Sequence, residues 1–236
     1  MKHSAPWGKD AVAAAGQLAC VLEASAEKPG NITPSHDFHD TAYEDMLRSA
    51  IAVGPELARA GRQGVGETVL GVVRASRRAG GPNTNLGIAL LLAPIARAAL
   101  DPRLAPQPLR DRLRSVLGAL TLDDASAAYA AIRLARPGGL AEAVEHDVRA
   151  EPTIDLGEAM AQAAHRDRVA SEYGTGHAVT FELGAPALRR ALDDGLGTRD
   201  AIVQLHLELL AVLPDTLIVR KRGAAAAAEV TAQAAL

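Results

Sequence analysis

Alanine outnumbers every other residue in this chain, while Phe, Trp and Tyr together make up only 3% of it. That pairing limits the fold more than any motif does. Alanine and leucine are strong helix formers, whereas strands draw on aromatic and β-branched side chains, which are sparse here. The expectation is all-α, with no sandwich or barrel. At 236 residues and 48% hydrophobic, the chain carries enough apolar surface for a sizeable core, which excludes wholesale disorder.

Proline and glycine divide the helical periodicity into segments. Helices are expected from Ala11 to Glu27, with Val12, Leu18, Val21 and Leu22 toward the core, and from a Thr41-x-x-Glu44 capping box to Arg59. Lys28-Pro29-Gly30 stops the first of these, and a polar loop follows from Asn31 to Asp40. Two more are expected from Glu67 to Ala79 and, beyond Gly80-Gly81-Pro82, from Thr84 to Leu100 with a kink at Pro94. Others follow at 109–119, 122–135, 157–171 and 199–213, the last capped by Thr198, and the Ala-rich end can form a final one. Asp101 to Pro108, with three prolines, is the best linker candidate. Each half would be small and no internal repeat is visible, so residues 1–236 read as a single compact multi-helix domain.

A net charge of −3 argues against a dedicated nucleic-acid binder. The longest apolar run, Leu86 to Ala96, contains Pro94 and is about half the ~20 residues a bilayer span needs. The start, MKHSAPWGKD, lacks the build of a secretory signal. Cys20 has no internal disulfide partner and reads as a buried structural thiol. The expectation is a cytoplasmic protein with neither membrane nor nucleic-acid partners, and the apolar helices leave room for a homo-oligomer.

Polar residues gather at the ends of these helices in four clusters. The first is Glu23 with Lys28-Pro29-Gly30-Asn31, continuing to His36-Asp37-Phe38-His39-Asp40. A glycine beside a lysine lets a phosphate approach the backbone while the ammonium neutralises it. His36 and Asp37 could move a proton or bind a divalent ion. A plain helix stop and loop is the alternative, but two His and two Asp within five residues exceed what a turn requires. The second cluster, Asn83-Thr84-Asn85-Leu86-Gly87, opens the apolar helix and reads as an anion site or as an N-cap.

The third runs from Arg166-Asp167 through Glu172-Tyr173 to His177, and on residue types alone it reads as a salt-bridged helix end. The fourth is Asp215-Thr216 followed by Arg220, Lys221 and Arg222. An acid ahead of three cations suits a metal-bridged polyphosphate, and equally suits charge at a helix C-terminus. Arg74, Arg77 and Arg78 read as a solvated face. His3, His146, His165 and His206 are isolated in sequence and receive no role.

In this order the clusters resemble the triphosphoribosyl-dephospho-CoA synthase family, whose members carry E-x-x-x-x-K-P-G, a loop ending in H-D, N-T-x-x-G, R-D-x-x-A-x-x-Y and D-T-N-x-x-x-R. The matching residues are Glu23 with Lys28-Pro29-Gly30, His36-Asp37, Asn83-Thr84 with Gly87, Arg166-Asp167 with Ala170 and Tyr173, and Asp215-Thr216 with Arg220. They are collinear from about residue 11 to 223. The resemblance implies an all-α transferase that joins the triphosphoribosyl group of ATP to a ribose hydroxyl of 3′-dephospho-CoA and releases adenine. The product would be the prosthetic-group precursor of citrate lyase or malonate decarboxylase acyl carriers.

On that reading Glu23 and Asp37 stabilise the positive charge that develops on ribose, and His36 or Asp37 serves as base. Lys28, Gly30, Asn83, Thr84, Asn85, Gly87, Asp167, Tyr173, Arg220 and Lys221 bind substrate, while Asp37 and Asp215 hold Mg²⁺.

The chain departs from the family pattern in three places. Asn85 and Leu86 stand where N-T-H-K-G has His and Lys, and Leu217 stands where Asn follows Asp-Thr. After Leu236 there is no proline-glycine-rich segment with an A-D-L element, so a shortened form or a missing end is expected. These features are more similar to members in archaea and methylotrophic bacteria, where a step toward the tetrahydromethanopterin carrier is an alternative role. Two further readings are a non-catalytic helical binding or assembly protein that keeps the fold, and an HD-type metal-dependent phosphohydrolase. The latter needs a histidine upstream of His36 on a helix, and only His3 precedes it.

Overall fold

Chain punctuation and apolar stripes produce twelve α-helices and no strand among the described residues of the computed structural model, which are 7–80, 85–137 and 146–235. Helices α1 (Lys9–Ser25), α2 (Tyr43–Leu57), α3 (Val65–Gly80) and α4 (Leu86–Leu100) are followed by α5 (Leu109–Leu117) and α6 (Leu122–Ala135). The second half holds α7 (Leu156–Ala163), α8 (Arg168–Thr175), α9 (Ala185–Asp193), α10 (Thr198–Val212), α11 (Thr216–Arg222) and α12 (Ala224–Ala234). The all-α expectation holds. No single described helix is long and apolar enough to cross a membrane.

The core is built from small side chains, so helices approach closely. In α1 the buried stripe is Val12, Gly16, Cys20 and Ala24, a strict four-residue repeat. Leu18 lies off that stripe and is 56% exposed, contrary to expectation. The stripe is narrow because α2 sits directly on it, and a Cβ on Gly16 would come within 2.2 Å of Leu57 Cδ1. Between α3 and α6 the approach is closer still, with a Cβ on Gly66 falling 2.1 Å from the Asp124 backbone oxygen. Val53, Leu57, Val69, Val72, Ala93, Ala128, Leu156 and Tyr173 belong to one continuous cluster. That cluster draws on residues from both sides of Asp101–Pro108.

Several boundaries move for identifiable reasons. α2 begins at Tyr43, not at Thr41. Asp45 accepts the Ala42 N–H at 3.1 Å and Asp37 Oδ1 accepts the Tyr43 N–H at 2.8 Å, so these two acids take the capping role expected of Thr41 and Glu44. The single helix expected at 157–171 is two, because Asp167 is extended and caps α8 by accepting the Ala170 N–H at 3.1 Å. Gly197, not Thr198, stands at the start of α10, with no side-chain cap. α4 continues through the buried Pro94 as one helix. The final Ala-rich helix forms as α12.

Candidate functional site

The first cluster is assembled by a turn that folds α1 back on itself. Gly30 adopts φ +80°, open to glycine but costly for an L side chain, and lets the chain reverse directly after Lys28-Pro29. Lys28 is consequently drawn inward, its side chain 5% exposed. Its ammonium donates to the Glu23 backbone carbonyl and lies 3.1 Å from Glu23 Oε1. Asn31 Nδ2 donates to the same carboxylate oxygen at 2.9 Å. Glu23 keeps a partly solvated carboxylate whose orientation two donors fix.

The loop after it is ordered by its own backbone. Thr33 and His36 exchange N–H···O bonds of 3.0 and 3.1 Å, and the Phe38 N–H donates to the Thr41 carbonyl at 3.0 Å. These two tight turns hold His36 and Asp37 at the surface, both exposed, with the rings of His36 and Phe38 edge to face at 6.1 Å. Asp37 thus has a structural task, accepting an α2 N–H, in addition to any chemical one. The loop is pinned to α1 where the Ser25 and Tyr43 hydroxyls meet at 2.8 Å and where Ser35 Oγ donates to Glu27 at 2.7 Å.

The third and fourth clusters meet each other. Asp215 caps α11, its Oδ1 accepting the N–H groups of Leu217 and Ile218 at 2.7 and 3.2 Å. Thr216 Oγ1 accepts the Arg168 N–H at 3.3 Å, and Arg220 donates from its guanidinium to Asp167 Oδ2. Asp167, which caps α8 through its other oxygen, therefore ties α8 to α11. Lys221 is exposed in the last turn of α11.

α10 joins these groups, through a residue the spacing never indicated. His206 lies beside the Pro29 carbonyl, within electrostatic reach of Lys28, Glu23 and Asp215. Burial, followed by the Lys28 charge, holds its pKa below the usual imidazole range, against the pull of Pro29, Asp215 and Glu23. Its Nε2 is buried without a hydrogen-bond partner. Residues 23, 28 and 215 thus belong to one constellation. No pattern in the sequence brings α10 back onto the end of α1. Nearby, Leu22, Ser25 and Glu27 face Thr198, Arg199, Asp200 and Val203 of α10 across a cavity of about 600 Å³, a size that suits a small-molecule ligand.

Other candidates lie apart or outside. Asn83 and Thr84 fall outside the described residues. Asn85 is buried at the head of α4, its Nδ2 donating to Ser76 Oγ at 3.3 Å, and Leu86 is buried next to it. Gly87 is exposed and faces open space. Tyr173 is in the core, with its hydroxyl given to the Leu90 carbonyl at 2.8 Å. Glu172 accepts from Val179 N and Thr180 N, each at 2.9 Å, and so holds the π-helical turn Val179–Gly184 in place.

Among the described residues no group of three or more His, Cys, Asp or Glu comes together to hold a metal ion.

A comparison with curated proteins finds no match. Among solved structures, the chain is similar to a protein from Archaeoglobus fulgidus described as a triphosphoribosyl-dephospho-CoA synthase. The identity is 25%, the TM-score 0.61, and the match covers 80% of each chain. The family model for ATP:dephospho-CoA triphosphoribosyl transferase matches residues 9–236. With nearly the whole length matched, and with the collinear motifs carried on the all-α frame described above, the chain belongs to the ATP:dephospho-CoA triphosphoribosyl transferase family.

Proposed function

We propose that this protein transfers the triphosphoribosyl group of ATP to a ribose hydroxyl of 3′-dephospho-CoA and releases adenine. The observation that carries the reading is the convergence of Lys28 and Glu23 from the end of α1 with Asp215 from the head of α11, around His206. It is supported by family membership over residues 9–236.

Breaking an N-glycosidic bond leaves positive charge on the ribose, and a carboxylate held in place, as Glu23 is, stabilises that charge without reorienting. Asp37 is the second acid of this role in the same α1–α2 turn region. Lys28 and the basic turn Arg220-Lys221 supply cations for the triphosphate. Mg²⁺ would travel on the triphosphate, with Asp215 and Asp37 as the carboxylates available to it.

A related acceptor is the second reading, and one observation favours it. At the start of α4, where the family pattern has His and Lys, Asn85 is committed to Ser76 and Leu86 is buried. A contact that His-Lys could offer an acceptor phosphate is absent at those two positions.

The test is adenine release from ATP and Mg²⁺, with and without 3′-dephospho-CoA, followed by mass spectrometry of the acceptor. Release that depends on dephospho-CoA, with the triphosphoribosyl mass added, supports the first reading. A thermal shift with MgATP but no release supports the second.

A further inference from the structure

We propose that the cavity between the end of α1 and the head of α10 receives the adenosine end of the acceptor nucleotide, with Glu27 and Asp200 accepting hydrogen bonds from its ribose hydroxyls; the proposal rests on the transferase reading above. The cavity is about 600 Å³, with Leu22, Ser25 and Glu27 on one wall and Gly197, Thr198, Arg199, Asp200 and Val203 on the other. That volume lies within the range of small-molecule pockets.

The polar side chains on these walls are not consumed by the fold. Thr198, Arg199 and Asp200 are exposed, and none of them makes a hydrogen bond or ion pair through its side chain among the described residues. Glu27 is also exposed, and its Oε2 accepts the Ser35 hydroxyl at 2.7 Å, which sets the direction of the carboxylate. Arg199 shares the cavity with Glu27 but forms no ion pair with it, so a ligand can stand between them.

The lining chemistry selects the ligand. Leu22 and Val203, from the two helices, offer a flat base two apolar surfaces. An ionised carboxylate accepts hydrogen bonds and donates none, so Glu27 and Asp200 call for a partner rich in donors. A ribose with free hydroxyls is such a partner, and an acid holds ribose in the same way in dinucleotide-binding folds.

Charge decides which nucleotide. Two carboxylates against one guanidinium leave these walls net negative, which repels a triphosphate. The cations available for that group, Lys28, Arg220 and Lys221, are not on the walls. The acceptor carries only a diphosphate, and Arg199 is the cation here that can meet it. The wall bearing Glu27 runs directly into the Lys28-Pro29-Gly30 turn, so acceptor and donor would sit on neighbouring stretches of chain.

The test titrates the full chain with 3′-dephospho-CoA, and separately with MgATP, by calorimetry. Glu27→Gln and Asp200→Asn preserve side-chain size and remove one charge each. Each is expected to weaken dephospho-CoA by about tenfold or more, as for loss of a hydrogen bond to a charged group. MgATP affinity should change less than threefold, and both variants should melt within a few degrees of wild type. Variants that bind dephospho-CoA as tightly as a binding-competent wild type would overturn the proposal alone. Equal weakening of both nucleotides would also overturn it, because the cavity would then not distinguish acceptor from donor. A wild type that binds MgATP and no dephospho-CoA would remove this acceptor, and the proposal with it.

Amide hydrogen exchange of the wild type needs no substitution. Saturating dephospho-CoA is expected to slow exchange at residues 22–27 and 198–203. Unchanged exchange in both segments, once binding is demonstrated, would put the nucleotide elsewhere and overturn the proposal.

Discussion

The Lys28 ammonium lies 3.1 Å from Glu23 Oε1 and also donates to the Glu23 backbone carbonyl, so one residue of α1 receives both contacts from a lysine five positions on. The lysine is buried and the carboxylate is partly solvated. This geometry makes Lys28 a structural clamp as much as a cation for phosphate. It closes the turn and aims Glu23 by the same contact.

Lys28→Met is therefore expected to act on two quantities. Stability should fall by about 1–3 kcal/mol, since the partner groups lose charge-assisted bonds, read from the urea midpoint. KM for ATP should rise at least tenfold if the ammonium also meets phosphate. A change in stability with an unaltered KM would confine Lys28 to the clamp.

Asp37 has a capping bond to Tyr43 N–H that can be separated from chemistry. Asp37→Asn retains an acceptor oxygen and should leave the melting temperature within a few degrees, while turnover falls by ~10²-fold if the negative charge stabilises the ribose cation. Asp37→Ala should cost a further ~1 kcal/mol from the lost cap. Normal turnover in Asp37→Asn would limit this residue to holding the head of α2.

Cys20 should be inert in the folded protein. Burial, reinforced by the Glu23 charge, pushes its thiol up to about 11. The thiolate is thus scarce at pH 8, and reaction with a disulfide reagent should be at least ~10²-fold slower than for a free thiol. Adding urea past the unfolding midpoint should restore the ordinary rate, which makes Cys20 a reporter of global opening. Fast labelling without denaturant would mean that α1 separates from α2 locally.

His177 should make the fold acid-sensitive. It is fully buried, both ring nitrogens lack partners, and burial lowers its pKa despite the nearby Glu172 charge. The unfolded chain takes up a proton near 6.5 that the folded chain refuses, so stability is complete above that value and declines as pH falls below it. His177→Asn suits the backbone, which has φ +56° at this position. Its urea midpoint is expected to depend less on pH between about 5 and 6.5. An identical pH slope in both proteins would remove His177 as the cause.

The motif segments were readable because each is a local device. Lys28-Pro29-Gly30 stops a helix wherever it occurs, and Asp167 and Asp215 are acids at helix starts. Their roles in the site were less readable. Tyr173, which the resemblance makes a substrate contact, spends its hydroxyl on the Leu90 carbonyl, and Asn85 spends its amide on Ser76. Neither bond follows from spacing, because each partner lies on another helix. The break between α7 and α8 was missed for a local reason, since the apolar period continues across it and only the cap at Asp167 interrupts it.

By itself the sequence determined the all-α class, most of the helices and the order of the family's motifs. Alanine-rich composition, proline–glycine stops and capping acids act within a few residues of themselves, so they can be read in one dimension. Tertiary structure alone decided which clusters meet. α10 returns to the end of α1 and sets His206 by the Pro29 carbonyl, within electrostatic reach of Lys28, Glu23 and Asp215, while Arg220 crosses to Asp167. Those contacts join residues far apart in the chain, Asp167 and Arg220 among them, so nothing within a few residues of either partner can announce them.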